Sequence, residues 1–225
     1  MIVAIDGPAG SGKSSTAAAV AEALGALHLD SGALYRALTV VALDLPRPDP
    51  LELLRRAEAQ GLALRRVGRG LVPYLDGRDA EPRLRTPDVN ARVSEVSAIP
   101  EVREWVNAML RRAVKTHGQG DPVIVMDGRD IGTEVFPDAA VKVFLTASPE
   151  ERARRRLVQR GARPDPELIA GQAAELAERD RRDRARPVAP LRAAEDAIGL
   201  DTTRMEFRDQ VKAIVDIVRR RLPGV

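Results

Sequence analysis

Residues 7–14 read GPAGSGKS: a Gly, four free positions, then Gly-Lys-Ser, the pattern of a phosphate-binding loop. The pattern constrains the fold because such a loop works in one setting. A strand must deliver it and a helix must leave it, so that successive backbone N–H groups converge on an anion at the helix N-terminus. Both flanks comply. Ile2-Val3-Ala4-Ile5 is an apolar β-type run, and residues 15–24 form an Ala-rich helical stretch that stops at Gly25. Gly7, Gly10 and Gly12 admit the required φ values, while Pro8, Ala9, Ser11 and Ser15 complete the cradle. Lys13 is placed to reach the β- and γ-phosphates of a bound triphosphate, and the Ser14 hydroxyl to ligate Mg²⁺. Chance would supply the four fixed positions in roughly one chain of this length in a hundred. The strand, loop and helix in the right order make a nucleoside triphosphate the expected ligand.

The chain has 225 residues, 44% of them hydrophobic, enough for one substantial core, so a single domain with insertions is expected. There is no cysteine, which removes disulfides and thiolate chemistry. No apolar run approaches the roughly 18 residues of a membrane span, and the N-terminal strand lacks the basic region of a signal peptide. A cytoplasmic protein that binds no membrane is expected. The net charge is +3, but of 36 basic residues only Lys13, Lys115, Lys142 and Lys212 are lysines. Arginine holds phosphate by a planar two-pronged fork, which suits a site with several phosphate groups. A compositional bias toward Arg and Ala accounts for most surface arginines.

Strand-like runs at residues 2–5, 26–29, 123–126, 141–145 and 197–200 alternate with helical patterns. This α/β alternation predicts a parallel sheet with helices on both faces and ligands at the carboxyl ends of its strands. Two regions break the alternation. Residues 61–85 hold two strand-like runs around Gly68-Arg69-Gly70, then Asp76-Gly77, and read as a small antiparallel insertion. In residues 148–186, Ser148-Pro149-Glu150-Glu151 is a capping box with Pro at the first helical position, and Asp165-Pro166 opens a second helix after a Gly/Pro loop at 161–164. Two Arg-rich helices joined in this way predict a mobile lid.

Two further motifs follow strands: Leu29-Asp30-Ser31-Gly32-Ala33-Leu34-Tyr35-Arg36 and Met126-Asp127-Gly128-Arg129-Asp130-Ile131-Gly132-Thr133. With the phosphate loop, the run Arg179 to Arg186 and Leu200-Asp201-Thr202-Thr203, they resemble the cytidylate kinases, P-loop enzymes that phosphorylate CMP and dCMP. The resemblance extends from Ile2 to about Val218. It implies a P-loop kinase fold: a five-stranded parallel sheet with helices on both faces, a small antiparallel β insertion and a helical lid. The core would comprise residues 1–33, 116–148 and 188–225, the nucleoside-monophosphate region 34–115 and the lid 149–187.

Read as chemistry, the two motifs lie at the carboxyl edge of the sheet beside the phosphate loop. Arg36 and Arg129 can converge on the acceptor phosphate, Ser31 can donate a further hydrogen bond, and Asp127 ends a strand where a Walker-B carboxylate orients Mg²⁺ or its water. Helix capping by Asp30 or Ser31 and surface pairing by Arg36 are the structural alternatives. The resemblance implies that Asp130 and Arg103 read cytosine, with Ser94 nearby and Tyr35 on the same side. A carboxylate accepts from the exocyclic amine and an arginine donates to the O2/N3 edge, so uracil would bring a repelling oxygen to Asp130. Arg179, Asp183 and Arg186 share one helix face by spacing. The resemblance assigns Arg179 and Asp183 to the ribose and Arg186 to the phosphates. Lys13, Arg129 and Arg186 are the expected catalytic cations, and Arg155 and Arg156 approach ATP from the lid.

No catalytic histidine is required, since a phosphate monoester with a second pKa of about 6 is already largely ionised at neutral pH. His28 and His117 are expected to be structural or exposed. A GTPase-like switch would carry Asn-Lys-x-Asp, and neither Asn90 nor Asn107 is followed by Lys. A nucleic-acid module would interleave base-stacking aromatics, which make up only 3% of the chain. A kinase for another small acceptor is the nearest rival. With no coiled-coil seam, a monomer is expected.

Overall fold

The computed structural model describes residues 1–45, 49–121 and 123–224. The chain runs β1 (Ile2–Asp6), α1 (Lys13–Ala23), β2 (Leu27–Asp30), α2 (Ser31–Ala42), α3 (Pro50–Ala59), β3 (Ala63–Val67), β4 (Gly70–Leu75), β5 (Arg78–Asp79), α4 (Glu81–Leu84), α5 (Pro87–Val96) and α6 (Pro100–His117). It continues through β6 (Ile124–Gly128), a π-helical turn (Ile131–Val135), β7 (Val141–Thr146), α7 (Pro149–Gln159), α8 (Pro166–Arg184), β8 (Ile198–Asp201) and α9 (Phe207–Arg221). All five strand-like runs of the sequence form strands, in the spatial order β2-β6-β1-β7-β8 and mutually parallel.

Alternation along these strands builds two cores, because successive side chains in a strand point to opposite faces. Val3 and Ile5 of β1, with Val125 of β6 and Val143 of β7, pack under α1 and α9 through Val20, Ile214 and Val218. Ala4, Leu29 and Met126 face the other way and pack with Leu34, Leu38, Val93 and Leu110 of α2, α5 and α6. The phosphate loop and both motifs therefore emerge from strands buried on two sides and open at the same edge.

The insertion differs from a detached hairpin. β3 and β4 pair antiparallel, but β4 also pairs parallel with β2 through His28↔Gly70 and Leu29↔Leu71, so the insertion extends the central sheet to eight strands. Asp76 and Gly77, with φ of 49° and 73°, form the tight turn that folds β5 back onto β4. The capping box at Ser148 is half formed. Ser148 Oγ accepts from Glu151 N at 3.2 Å, but the Ser148 N–H donates to Thr203 Oγ1, and Glu151 pairs with Arg155. The start of α7 is thereby tied to the turn after β8.

Candidate active site

The phosphate loop passes so close to β7 that a Cβ at Gly7 would stand 2.1 Å from the Leu145 carbonyl oxygen, which admits only glycine. Gly12, at φ 87°, caps α1 and turns the loop into the helix. Ala9, Gly10, Gly12, Lys13, Ser14 and Ser15 line a cavity of about 540 Å³. Gly7, Pro8 and Ser11 form the back of the loop, where the fully buried Ser11 Oγ donates to the Pro8 carbonyl at 3.0 Å. Lys13 is folded onto this frame: its Nζ donates to the Pro8 carbonyl at 2.6 Å and to Ser11 Oγ at 3.3 Å. Burial, then the neighbouring Arg129 guanidinium, holds its ammonium pKa well below the usual lysine range. Ser14 Oγ donates to Asp127 Oδ2 at 2.6 Å, and Asp127 Oδ1 meets His28 Nε2 at 2.9 Å. Burial pulls the His28 pKa down, but the hydrogen bond and charge of Asp127 outweigh it and leave it raised.

Arg36, Arg129 and Arg179 converge beside this loop. Arg36 Nη1 donates to Asn90 Oδ1 at 2.9 Å, and burial, helped by Arg85, Arg156 and Arg129, lowers its pKa to about 10 against the pull of Asp30. Arg179 has a buried Nε without a hydrogen-bond partner among the described residues, and burial together with Arg129 and Arg36 lowers its pKa to about 9. Arg129 differs: its Nε donates to Asp183 Oδ2 at 2.9 Å, and that carboxylate overrides burial to raise its pKa. The other Asp183 oxygen takes Arg186 Nη2 at 2.5 Å, and Arg186 Nη2 also donates to Ser97 Oγ at 2.9 Å. α8 ends at Arg184, so Arg186 reaches Asp183 from just beyond the helix.

At the far end of the cavity Arg103 and Asp130 form a buried ion pair. Arg103 Nη1 also donates to the Ser97 carbonyl at 2.9 Å, and the guanidinium stands 5.4 Å from the centroid of the Tyr35 ring. Two arms of an arginine and one carboxylate edge thus meet on the same cavity as a phosphate loop and a cluster of cations. A family model described as cytidylate kinase matches residues 3–220. The chain belongs to the cytidylate kinases.

It is 45% identical to a cytidylate kinase of Stutzerimonas stutzeri (strain A1501), with 99% of this chain and 97% of the relative covered. The figures are 43%, with 96% and 95% covered, for one of Shouchella clausii (strain KSM-K16), and 42%, with 98% and 97% covered, for one of Geobacillus sp. (strain WCH70).

Against this family background, most expected site residues meet in one cavity, and three details differ from the sequence reading. Ser94 is buried on α5 but lines a neighbouring recess with Arg181, Arg182 and Pro187, while Ser97 faces the main cavity. The two serines are nearly one helical turn apart, and spacing alone cannot choose between them. The Ser31 hydroxyl is already engaged, donating to the Asp127 carbonyl at 2.8 Å, while Asp30 caps α2 by accepting from Ala33 N at 3.2 Å, so capping and cavity lining coexist in this motif. Asn90 carried no functional signal in the sequence, and His28, expected to be structural or exposed, is half-buried against Asp127. Asn90 Oδ1 accepts from Arg36 and, at 3.4 Å, from Arg156 Nη2, which links α2 and α5 to α7. Arg155 donates to Thr202 Oγ1 at 2.9 Å and to its carbonyl at 2.6 Å, tying the Leu200 to Thr203 segment to α7.

Proposed function

We propose that this cytidylate kinase transfers the γ-phosphoryl group of ATP to CMP or dCMP, giving CDP or dCDP and ADP. The observation that carries the reading is the juxtaposition of the buried Arg103–Asp130 pair with the buried Arg36 and the half-buried Arg179, neither of which has a carboxylate partner among the described residues, on the cavity that holds the phosphate loop. Asp130 and Arg103 read the cytosine edge, with Tyr35 beside them and Ser97 completing the wall nearer than Ser94. Arg36, Arg129 and Arg179 take the acceptor phosphate and ribose, with Asp183 and Arg186 fixing the orientation of Arg129. Lys13 leaves the Pro8 carbonyl for the β- and γ-phosphates. The acceptor phosphate needs no general base, so the cations contribute alignment and compensation of charge on the transferring group.

Mg²⁺ suits this site. Ser14 Oγ and Asp127 Oδ2, 2.6 Å apart, are hard oxygen donors, and among the described residues no cluster of three acidic, His or Cys side chains could hold a metal alone. Ser14 would hold it, with Asp127 acting directly or through water and phosphate oxygens filling the remaining positions. When bound it supplies further charge neutralisation. Residues 149–187 serve as the lid that keeps water from ATP, 34–115 as the acceptor region, and the remainder as the core. Among the described residues no helix is long and apolar enough to cross a membrane. We take the enzyme to act as a cytoplasmic monomer on small nucleotides and not on nucleic acid, since its aromatics are few and no coiled-coil seam is present.

The test is a coupled assay with ATP and, in turn, CMP, dCMP, UMP, AMP, dTMP and shikimate. CMP and dCMP should be turned over fastest; a preference for any other acceptor overturns the cytosine reading.

A further inference from the structure

Two buried charges have no task in the proposed chemistry: Arg152 on α7 and Asp180 on α8, 6% and 3% exposed. They meet on the main chain of the phosphate loop. The Ala9 N–H donates to Asp180 Oδ1 at 2.8 Å, and the Ala9 carbonyl accepts from Arg152 Nη1 at 2.8 Å. The same nitrogen donates to Asp180 Oδ2 at 2.5 Å. Both polar groups of one loop residue are therefore satisfied by a single ion pair drawn from two lid helices. Apolar packing closes around it, since Ala9 clusters with Ala153 and Leu176, and Ile169 and Ala173 pack against them. The next residue, Gly10, lies at φ 74°, and a Cβ there would stand 3.1 Å from Leu176 Cδ1 and 3.2 Å from the Arg152 carbonyl. The front half of the loop is thus moulded against α7 and α8.

A glycine-rich loop has many accessible conformations, and one whose N–H groups point at a common centre is disfavoured without its anion. A carboxylate and a guanidinium that take both polar groups of Ala9 remove this freedom before the nucleotide arrives. We propose that Asp180 and Arg152 are positioning residues for the triphosphate: they orient the Ala9 peptide, and so the loop N–H groups that follow it, and anchor the base of the lid to the loop. The inference rests on the reading that this loop binds the phosphates of ATP. It separates Asp180 from its motif neighbours Arg179 and Asp183, which serve the acceptor side of the cavity.

The test compares Asp180→Ala with Asp180→Asn by calorimetric titration of ATP and of CMP, alongside kcat. Asn keeps an oxygen for the Ala9 N–H and Ala does not. For Asp180→Ala the dissociation constant of ATP should rise about tenfold or more, the order expected when a charge-assisted hydrogen bond is lost, with that of CMP within about twofold of wild type. Asp180→Asn should recover most of the ATP affinity. Because Asp180→Ala strands a buried guanidinium, the double variant Arg152→Met with Asp180→Leu replaces the pair by apolar groups of similar size and should fold. It should show the same ATP-specific loss. ATP affinity within twofold of wild type in the folded double variant, or equal losses for ATP and CMP, overturns the inference. Lys13→Ala separates the two levels. If it leaves ATP affinity and turnover unchanged, the loop is not the ATP site and both readings fall; if it abolishes turnover while the Asp180 series binds ATP like wild type, only the positioning role falls.

Discussion

At the end of the cavity bounded by α5 and α6, Arg103 is locked to Asp130, whereas beside the phosphate loop Arg129 alone is held by a carboxylate, Asp183, and Lys13, Arg36 and Arg179 have none hydrogen-bonded to them among the described residues. Burial disfavours every one of these cations, and the neighbours decide the net result. Arg103 and Arg129 end above the usual arginine value because a carboxylate outweighs burial. Arg36 and Arg179 fall to about 10 and 9 because other arginines add to burial. They stay charged at neutral pH, so the lowering expresses the cost of burying a charge first and of like-charge crowding second. The paired end is complete without ligand and suits recognition of a neutral base. The unpaired end is completed by an anion.

The contrast is broken most severely at Lys13. Lys13→Ala should lower turnover with ATP and CMP on the order of a hundredfold to a thousandfold, as for loss of one preorganised donor to a developing charge, while the thermal midpoint holds or rises. Steady-state rates and a melting curve check both halves, and unchanged turnover would dismiss this loop as the active one.

At the paired end, Asp130→Ala removes the acceptor for the cytosine amine. The preference for CMP over UMP, as a ratio of kcat/KM values, should fall roughly tenfold to a hundredfold, following about 1 to 3 kcal/mol for a base-edge contact. Arg129→Ala should lower both rates and leave their ratio nearly unchanged, because the phosphate is common to both. Since Asp130 is also the partner of Arg103, Asp130→Asn sharpens the test by keeping shape and one oxygen. If Asp130→Ala depresses CMP and UMP equally, Asp130 is a scaffold residue.

Arg179→Met tests the opposite sign. Removing a crowded cation should cost about tenfold in kcat/KM for CMP yet raise the melting temperature of the ligand-free protein by about 2–4 °C per kcal/mol of relieved repulsion. A lower melting temperature would show that Arg179 is balanced after all.

The smallest effect is expected at His28, whose folded pKa is raised. Its pairing with Asp127 contributes stability fully present below the unfolded value of about 6.5 and lost as pH rises through the raised value. His28→Gln should therefore destabilise by about 1 kcal/mol at pH 6 and by less at pH 8. Denaturant midpoints at the two pH values measure this, and an equal loss at both would mean that His28 acts as a neutral hydrogen-bonding group.

Much of the fold was legible because its signals are local. The five parallel strands, the phosphate loop and the Pro-initiated helices depend on periodicity two, on glycine φ and on caps within four residues. The insertion was legible as a hairpin, but its union with β2 was not, since the pairing of His28 with Gly70 depends on which sheet edge stays open. Among the residues lining the cavity, the motifs pointed to Arg36, Asp127 and Arg129, and the resemblance to Asp130 and Asp183. Asn90 lay on the amphipathic α5 and Ser97 at its C-terminal cap, where a polar residue signals only solvent or capping.

The order of strand, loop and helix, the identity of the phosphate loop and the residue types for a nucleotide acceptor came from the sequence by itself, because backbone geometry and side-chain chemistry over short spans dictate them. Which charges meet was decided by the tertiary structure: Asp127 with His28 across 99 residues, Asp180 with the Ala9 amide across 171, and Arg179 with no hydrogen-bonded carboxylate among the described residues. Those choices depend on distances between elements packed from opposite parts of the chain, and on how far each packing removes a charge from water.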